Sequence, residues 1–202
     1  VDIGGGTTDV TIYSEGSIVH TAVLALGGNH LTHDIAIGLG APLHEAEEIK
    51  HKFGVAMSTM VEEDEMIDVP SVGGRNNRTM QKRVLASIIE DRFREIFELI
   101  AHEIEKTHFH TLMASGVVIT GGTCIMPGAD MLASQVLNLP VRVGYPENIA
   151  GLREMIYSPK YATSVGLVRY GITSNQGKLN FVGDDTNLFH KVSRRMKDWM
   201  QD

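Results

Sequence analysis

Val1-Asp2-Ile3-Gly4-Gly5-Gly6-Thr7-Thr8-Asp9-Val10 reads as an apolar strand end, a glycine loop and the start of a second strand. Three glycines in succession let a backbone turn tightly and bring its N–H groups within hydrogen-bonding reach of an anion, an approach that a Cβ would block. Thr7 and Thr8 add hydroxyls, and Asp2 at the strand end can hold Mg²⁺ through its water shell or orient an attacking water. The same letters also suit a plain hairpin whose glycines supply only turn geometry.

A second stretch, Val117-Val118-Ile119-Thr120-Gly121-Gly122-Thr123, repeats the logic about a hundred residues later: an apolar strand runs into small residues. Two strand-to-glycine loops separated by helical sequence are what an α/β nucleotide site needs, one loop for phosphates and another lying under the nucleoside. The pattern G-x-x-x-x-G-K-[ST] is absent, which excludes a Walker-type loop, and no G-x-G-x-x-G opens a helix after a strand, which disfavours a dinucleotide fold.

The chain has 202 residues, 43% of them apolar, enough for one large domain or two small subdomains. Its formal charge of −7 makes nucleic acid an unsuitable partner for the body. A lone cysteine, Cys124, excludes an internal disulfide framework and suits the cytosol. No run approaches the roughly 20 apolar residues of a membrane span.

Between the glycine stretches, a hairpin around Glu15-Gly16-Ser17 continues the sheet, and Leu31, Ile35 and Leu39 predict a helix over 31–39. Residues 42–53 begin acidic and end basic, which suits a helix dipole. A short strand is expected over 66–69. Arg75, Arg78, Lys82 and Arg83 surround a polar loop that is either solvated surface or a docking site for an acidic peptide. Leu85, Ile89, Phe93, Ile96, Ile100 and Ile104 form the buried stripe of the longest helix. A helix over 127–138, a strand over 141–143 and a small-residue helix over 162–170 follow. The histidines near the helix starts and ends have no ligand pair in register and read as surface residues.

Residues 172–187 are polar and glycine-containing and read as a flexible linker. Then the period returns. Leu188, Val192, Met196 and Trp199, flanked by Phe189 and Met200, share one face, with Lys191, Arg194, Arg195 and Lys197 on the other. About fifteen residues at 1.5 Å each span roughly 22 Å, short of the roughly 30 Å hydrocarbon core. Such a helix can lie on an anionic membrane surface but cannot cross it. Packing on a partner helix is the other reading of the same pattern.

The two glycine stretches and Ala162-Thr163-Ser164-Val165-Gly166-Leu167 resemble the second phosphate loop, the adenosine loop and the second connecting helix of the actin and heat-shock-chaperone ATPase superfamily. Within it, Ser71-Val72-Gly73-Gly74-Arg75 and the basic tail resemble the FtsA family of actin-like bacterial cell-division proteins. The resemblance implies an α/β fold: an actin-like (ribonuclease H-like) sheet-and-helix core over 1–40 and 116–171, an inserted outer α+β subdomain over 41–115, the linker, and a membrane-targeting amphipathic helix over 188–202. It implies ATP and Mg²⁺ as cofactors, held by Asp2, Gly4, Gly5, Gly6, Thr7, Thr8, Gly121, Gly122 and Thr123, with Asp2 serving the metal. Glu90, Arg92 and Glu95 on the long helix would reach the adenine and ribose.

As partners it implies the C-terminal peptide of FtsZ, with Arg75, Arg78 and Arg83 as docking cations, and further copies of the chain in a filament. The tail residues Phe189, Val192, Arg194, Arg195, Met196 and Trp199 would seat on the inner face of the cytoplasmic membrane at the division site. Activity would be at most a weak ATPase in the service of assembly and anchoring. A chaperone or sugar-kinase ATPase and the FtsA-like pilus-assembly family are the alternatives that share these loops. The chain opens in mid-strand without a methionine and has no match to the family's first phosphate loop, so it is expected to be the C-terminal half of a longer protein.

Overall fold

Glu15 and Gly16 both adopt positive φ, 50° and 79°, and this two-residue turn joins β2 (Thr8–Ser14) to β3 (Ser17–Leu24). Positive φ at both central positions matches the right-handed twist of the flanking strands. The structure, a computed structural model, describes residues 1–70, 77–107, 115–147 and 153–175. β1 (Asp2–Ile3) pairs antiparallel with β2 in the register Asp2↔Asp9 and Ile3↔Thr8. On its other side β1 meets the end of β6 (Val117–Ile119): Asp2 and Thr120 form a parallel bridge, with Ile3 N–H donating to Thr120 O at 2.8 Å and Thr120 N–H to Val1 O at 2.7 Å. β6 pairs parallel with β7 (Val141–Val143). The strands therefore lie in the order β3-β2-β1-β6-β7, and the two glycine stretches leave the sheet from neighbouring strands, the central β1 and the adjacent β6.

Helix α1 (Gly28–Leu39) leads to α2 (Leu43–Phe53), which Pro42 precedes at the N-cap. Strands β4 (Met66–Val69) and β5 (Arg78–Gln81) make a separate antiparallel pair before the long helix α3 (Lys82–Glu105). Helix α4 (Ala129–Leu137) connects β6 to β7, as parallel pairing requires of a crossover. A short α5 (Arg153–Ile156) and α6 (Ala162–Asn175) close the described chain.

The predicted stripe of α3 is the centre of the core. Leu85, Ile89, Phe93, Ile96 and Ile100 are fully buried with Phe97, and the Phe93 and Phe97 rings stack at 5.6 Å. Full burial of side chains of this kind stabilises by about 1.5–3 kcal/mol each. One core cluster joins this stripe to Ile3, Leu31, Ile35, Ile119 and Leu132, and α3 packs against both α1 and α4.

The chain divides into a compact unit Val1–Val165 and a second unit Gly166–Asp202. Helix α1 begins three residues before the predicted start, and α6 continues to Asn175, four residues beyond the predicted end of the body at Gly171. The rest of the expected linker and the whole tail, with Phe189, Val192, Arg194, Arg195, Met196 and Trp199, lie outside the described residues, as does Arg75. Among the described residues no helix is long and apolar enough to cross a membrane.

Candidate functional site

The N-terminus of α1 is threaded between the two glycine loops. Gly28 N–H donates to Gly4 O at 2.9 Å, Asn29 N–H to Gly5 O at 2.7 Å, and Thr123 Oγ1 to Gly4 O at 2.8 Å. A Cβ on Gly27 would lie 2.7 Å from Gly4 O, and one on Gly28 would lie 2.6 Å from Thr123 Oγ1, so these approaches exist only because both residues are glycine. In the fold this pair joins the start of α1 to both glycine loops.

In front of this junction opens a cleft of about 590 Å³. Gly5, Gly28 and Asn29 line one side, Gly122, Thr123, Ile125 and Met126 another, and Glu47, Lys50 and His51 of α2 a third, with Lys160 at the edge. The N–H groups of Gly5, Gly6 and Gly122 have no backbone partner within the described structure, which leaves them as donors for an oxygen-rich ligand. Such a cleft presents backbone donors, one exposed lysine, Lys160, and an apolar patch in one concavity, the composition expected of a site for a ligand with an anionic end and a flat or apolar end.

Of the predicted residues, Gly5, Gly122 and Thr123 line the cleft. Gly4 holds the junction through its carbonyl. Gly121, at φ 94°, turns the chain beneath Asp2 and Ile3 and donates its N–H to Pro159 O at 3.3 Å. Thr8 is fully buried and donates its hydroxyl to Leu26 O at 2.8 Å, a structural role. Thr7 and Gly6 are exposed on the loop. The Asp2 carboxylate accepts from the Thr163 hydroxyl at the start of α6. A single carboxylate with a hydroxyl neighbour suits a Mg²⁺ that keeps most of its water and is shared with phosphates, rather than an all-protein cage. Among the described residues no cluster of three or more acidic, histidine or cysteine ligands occurs.

Glu90, Arg92 and Glu95 line no part of this cleft. The buried stripe of α3 fixes its rotation, and its polar side faces other partners. Glu90 accepts from Ser58 N–H and Oγ at 2.8 Å each and from Arg94 at 2.8 Å. Burial raises the Glu90 pKa, but these donors outweigh it and hold the carboxyl below its usual range. Arg92 forms a fork on Asp34 of α1, Nη2 to Oδ1 at 3.0 Å, and pairs with Glu95. Arg78 donates to Leu39 O at the C-terminus of α1, and Arg83 lies 3.3 Å from Glu63.

The charged wall is supplied by α2 instead. Lys50 is buried, and its ammonium donates to Gly28 O at 3.1 Å, Thr32 Oγ1 at 2.8 Å and Glu47 Oε2 at 2.6 Å. Glu47 also accepts from Thr32, and its Oε1 lies 2.9 Å from His51 Nε2. Burial pushes the Glu47 carboxyl up, yet the bonds from Lys50 and Thr32 hold it below the ordinary glutamate range. Cys124 is the opposite case: burial drives its thiol up to about 12, and Sγ donates to Thr120 O at 2.8 Å, so it is an inert packing residue and not a nucleophile. The sequence signal that could have found the α2 wall is a lysine three residues after a glutamate on a helix face otherwise carrying Ala46 and Ile49.

Residues 1–166 match the family described as cell division protein FtsA. The cell division protein FtsA of Pseudomonas aeruginosa PAO1 is 38% identical over 206 residues, covering 100% of this chain and 49% of its own length. That of Escherichia coli K12 is 42% identical over 208 residues, covering 100% and 48%, and that of Bacillus subtilis 168 is 38% identical over 170 residues, covering 84% and 37%. The chain thus spans about half the length of the first two relatives and matches their C-terminal half. Among solved structures, MreB5 of Spiroplasma citri bound to AMPPNP superposes with a TM-score of 0.66 at 21% identity, covering 87% of this chain and 52% of its own. The PilM–PilN type IV pilus biogenesis complex superposes at 0.60 with 19% identity, covering 85% and 44%. At those identities the likeness speaks for the fold, which is actin-like, and the sequence relatives speak for the family. The chain belongs to the FtsA family of cell-division proteins.

Proposed function

We propose that this chain is the nucleotide-holding half of an ATP-dependent scaffold of cell division. The observation that carries the reading is the cleft itself, where Gly5 and Gly122, whose N–H groups have no backbone partner among the described residues, line one concavity walled by α2. Gly5, Gly6 and Thr7 would bind the phosphates, Gly122 and Thr123 would lie under the nucleoside, and Glu47 with His51 would meet the sugar hydroxyls. Lys160, exposed at the edge, supplies positive charge toward an anionic ligand. Mg²⁺, held by Asp2 through water, would neutralise phosphate charge when bound. MreB5, a neighbour in fold, was solved with ADP and with AMPPNP, which supports the same ligand class here.

The outer segment 41–115, with the basic loop 75–83, would receive an acidic peptide such as the C-terminus of FtsZ. The Arg83–Glu63 pair is exposed and contributes little, so Arg83 can exchange partners at small cost. The segment 188–202 would lie on the cytoplasmic membrane, and copies of the protein assembled in a filament would hold it there by effective concentration. Calorimetric titration of the intact protein with ATP and Mg²⁺ tests the core of this reading. Saturable binding of one ATP per chain is expected; no heat of binding up to millimolar ATP would contradict it.

A further inference from the structure

We infer that Lys50 is a positioning residue that braces the first glycine loop against helix α2, and is not a cation offered to the ligand; the inference rests on the nucleotide reading of the cleft. A lysine ammonium has three donors and no acceptor. All three are committed to protein oxygens, Gly28 O, Thr32 Oγ1 and Glu47 Oε2, at 3.1, 2.8 and 2.6 Å, within a buried setting. Turning one of them toward a ligand would weaken the pairing of a buried charge, which is costly.

The acceptors identify what is braced. Gly28 is bonded by its N–H to the first glycine loop at Gly4 O, and by its carbonyl to Lys50. Thr123 of the second glycine loop donates to the same Gly4 carbonyl at 2.8 Å. On the far side Lys50 holds Glu47, whose other oxygen meets His51 on the cleft wall. An unbroken polar chain therefore runs from the phosphate-side loops to the α2 wall, with a buried charge at its centre. It fixes the spacing of the two ends of the cleft before a ligand arrives. A ligand that spans both ends gains from that preorganisation, and a ligand that fills only one end does not.

The test is a comparison of three ligands, ATP, adenosine and inorganic pyrophosphate, titrated into the intact protein carrying Lys50→Met, with folding followed by thermal melting. ATP affinity is expected to fall by about tenfold while adenosine and pyrophosphate each stay within about twofold of wild type, because only the spanning ligand uses the fixed spacing. Thr32→Val removes one arm of the brace and keeps the ammonium; it should give the same ATP-selective loss in smaller measure, and it carries the test if Lys50→Met does not fold. Equal losses for all three ligands, a loss confined to pyrophosphate, or no loss would each overturn the bracing role. Failure of the wild-type protein to bind any of the three would bring down the nucleotide reading, and the brace with it.

Discussion

Gly121 and Gly122 are neighbours in sequence and opposites in physical role. Gly121 sits at φ 94°, where an added Cβ would collide with the Asp2 carboxylate and the Ile3 carbonyl, so the turn beneath β1 demands glycine for the fold alone. Gly122 has ordinary helical backbone angles, φ −64° and ψ −32°, and the atom nearest to an added Cβ is Lys160 Cβ at 3.7 Å. Its lack of a side chain matters to whatever enters the cleft. Gly6 has nothing within 4 Å of an added Cβ. Gly121→Ala is therefore expected to destabilise by more than about 1 kcal/mol, whereas Gly6→Ala should stay within about 0.5 kcal/mol of wild type. Urea unfolding of the two variants checks this, and equal midpoints would show that the turn at Gly121 can relax around a methyl group.

Among the elements, those with a strong period were legible and those that work through long-range polar contacts were not. The stripe of α3 announced a buried helix, and Lys82–Glu105 is that helix. Its charged side was expected over the nucleotide, but packing against α1 turns Arg92 onto Asp34, and Glu90 ties α3 to the turn at Ser58. The acid-to-base gradient of α2 suited a helix dipole; that Lys50 is buried follows only from where Gly28 and Thr32 come to lie, 22 and 18 residues earlier.

The Glu90 contacts carry a pH prediction. Its carboxyl is depressed in the folded protein, so its stabilising contribution is fully present above the unfolded glutamate pKa of about 4.3 and is lost as pH falls through the lower folded value. Glu90→Ala should lower stability at pH 7 by about 1–3 kcal/mol, because the Ser58 donors lose their acceptor. The gap between wild type and variant should close below that window. Melting curves at pH 7 and pH 3 measure both, and a gap that is the same at the two values would assign the loss to packing rather than to the carboxylate.

For the whole molecule, the two glycine loops and the strands that lead into them were readable because strand-to-glycine signals are local, and the actin-like fold followed from the family resemblance that those loops carry. The role of Gly27-Gly28 has no local signal, because its partners, Gly4 and Thr123, are 23 or more positions away. The tail over 188–202 rests on sequence pattern alone, and its prediction belongs at this scale because anchoring matters only to the assembled protein. Residues 172–202 fused to a soluble carrier should sediment with anionic vesicles, and Arg194→Glu with Arg195→Glu should abolish this at low salt. Trp199→Glu should weaken binding at low and high salt alike. Binding that ignores lipid charge and tolerates Trp199→Glu would make the helix a protein-docking element.

The central claim, that ATP occupies the cleft between the two glycine loops, is tested most directly by the ATP affinity of intact Gly122→Val protein whose melting temperature is close to wild type. Space beside Gly122 admits the new side chain, while the backbone approach required by the ligand does not. A loss of about tenfold or more in affinity, 1.4 kcal/mol per factor of ten, is the expected result. Wild-type affinity in a folded Gly122→Val protein would place the nucleotide somewhere else.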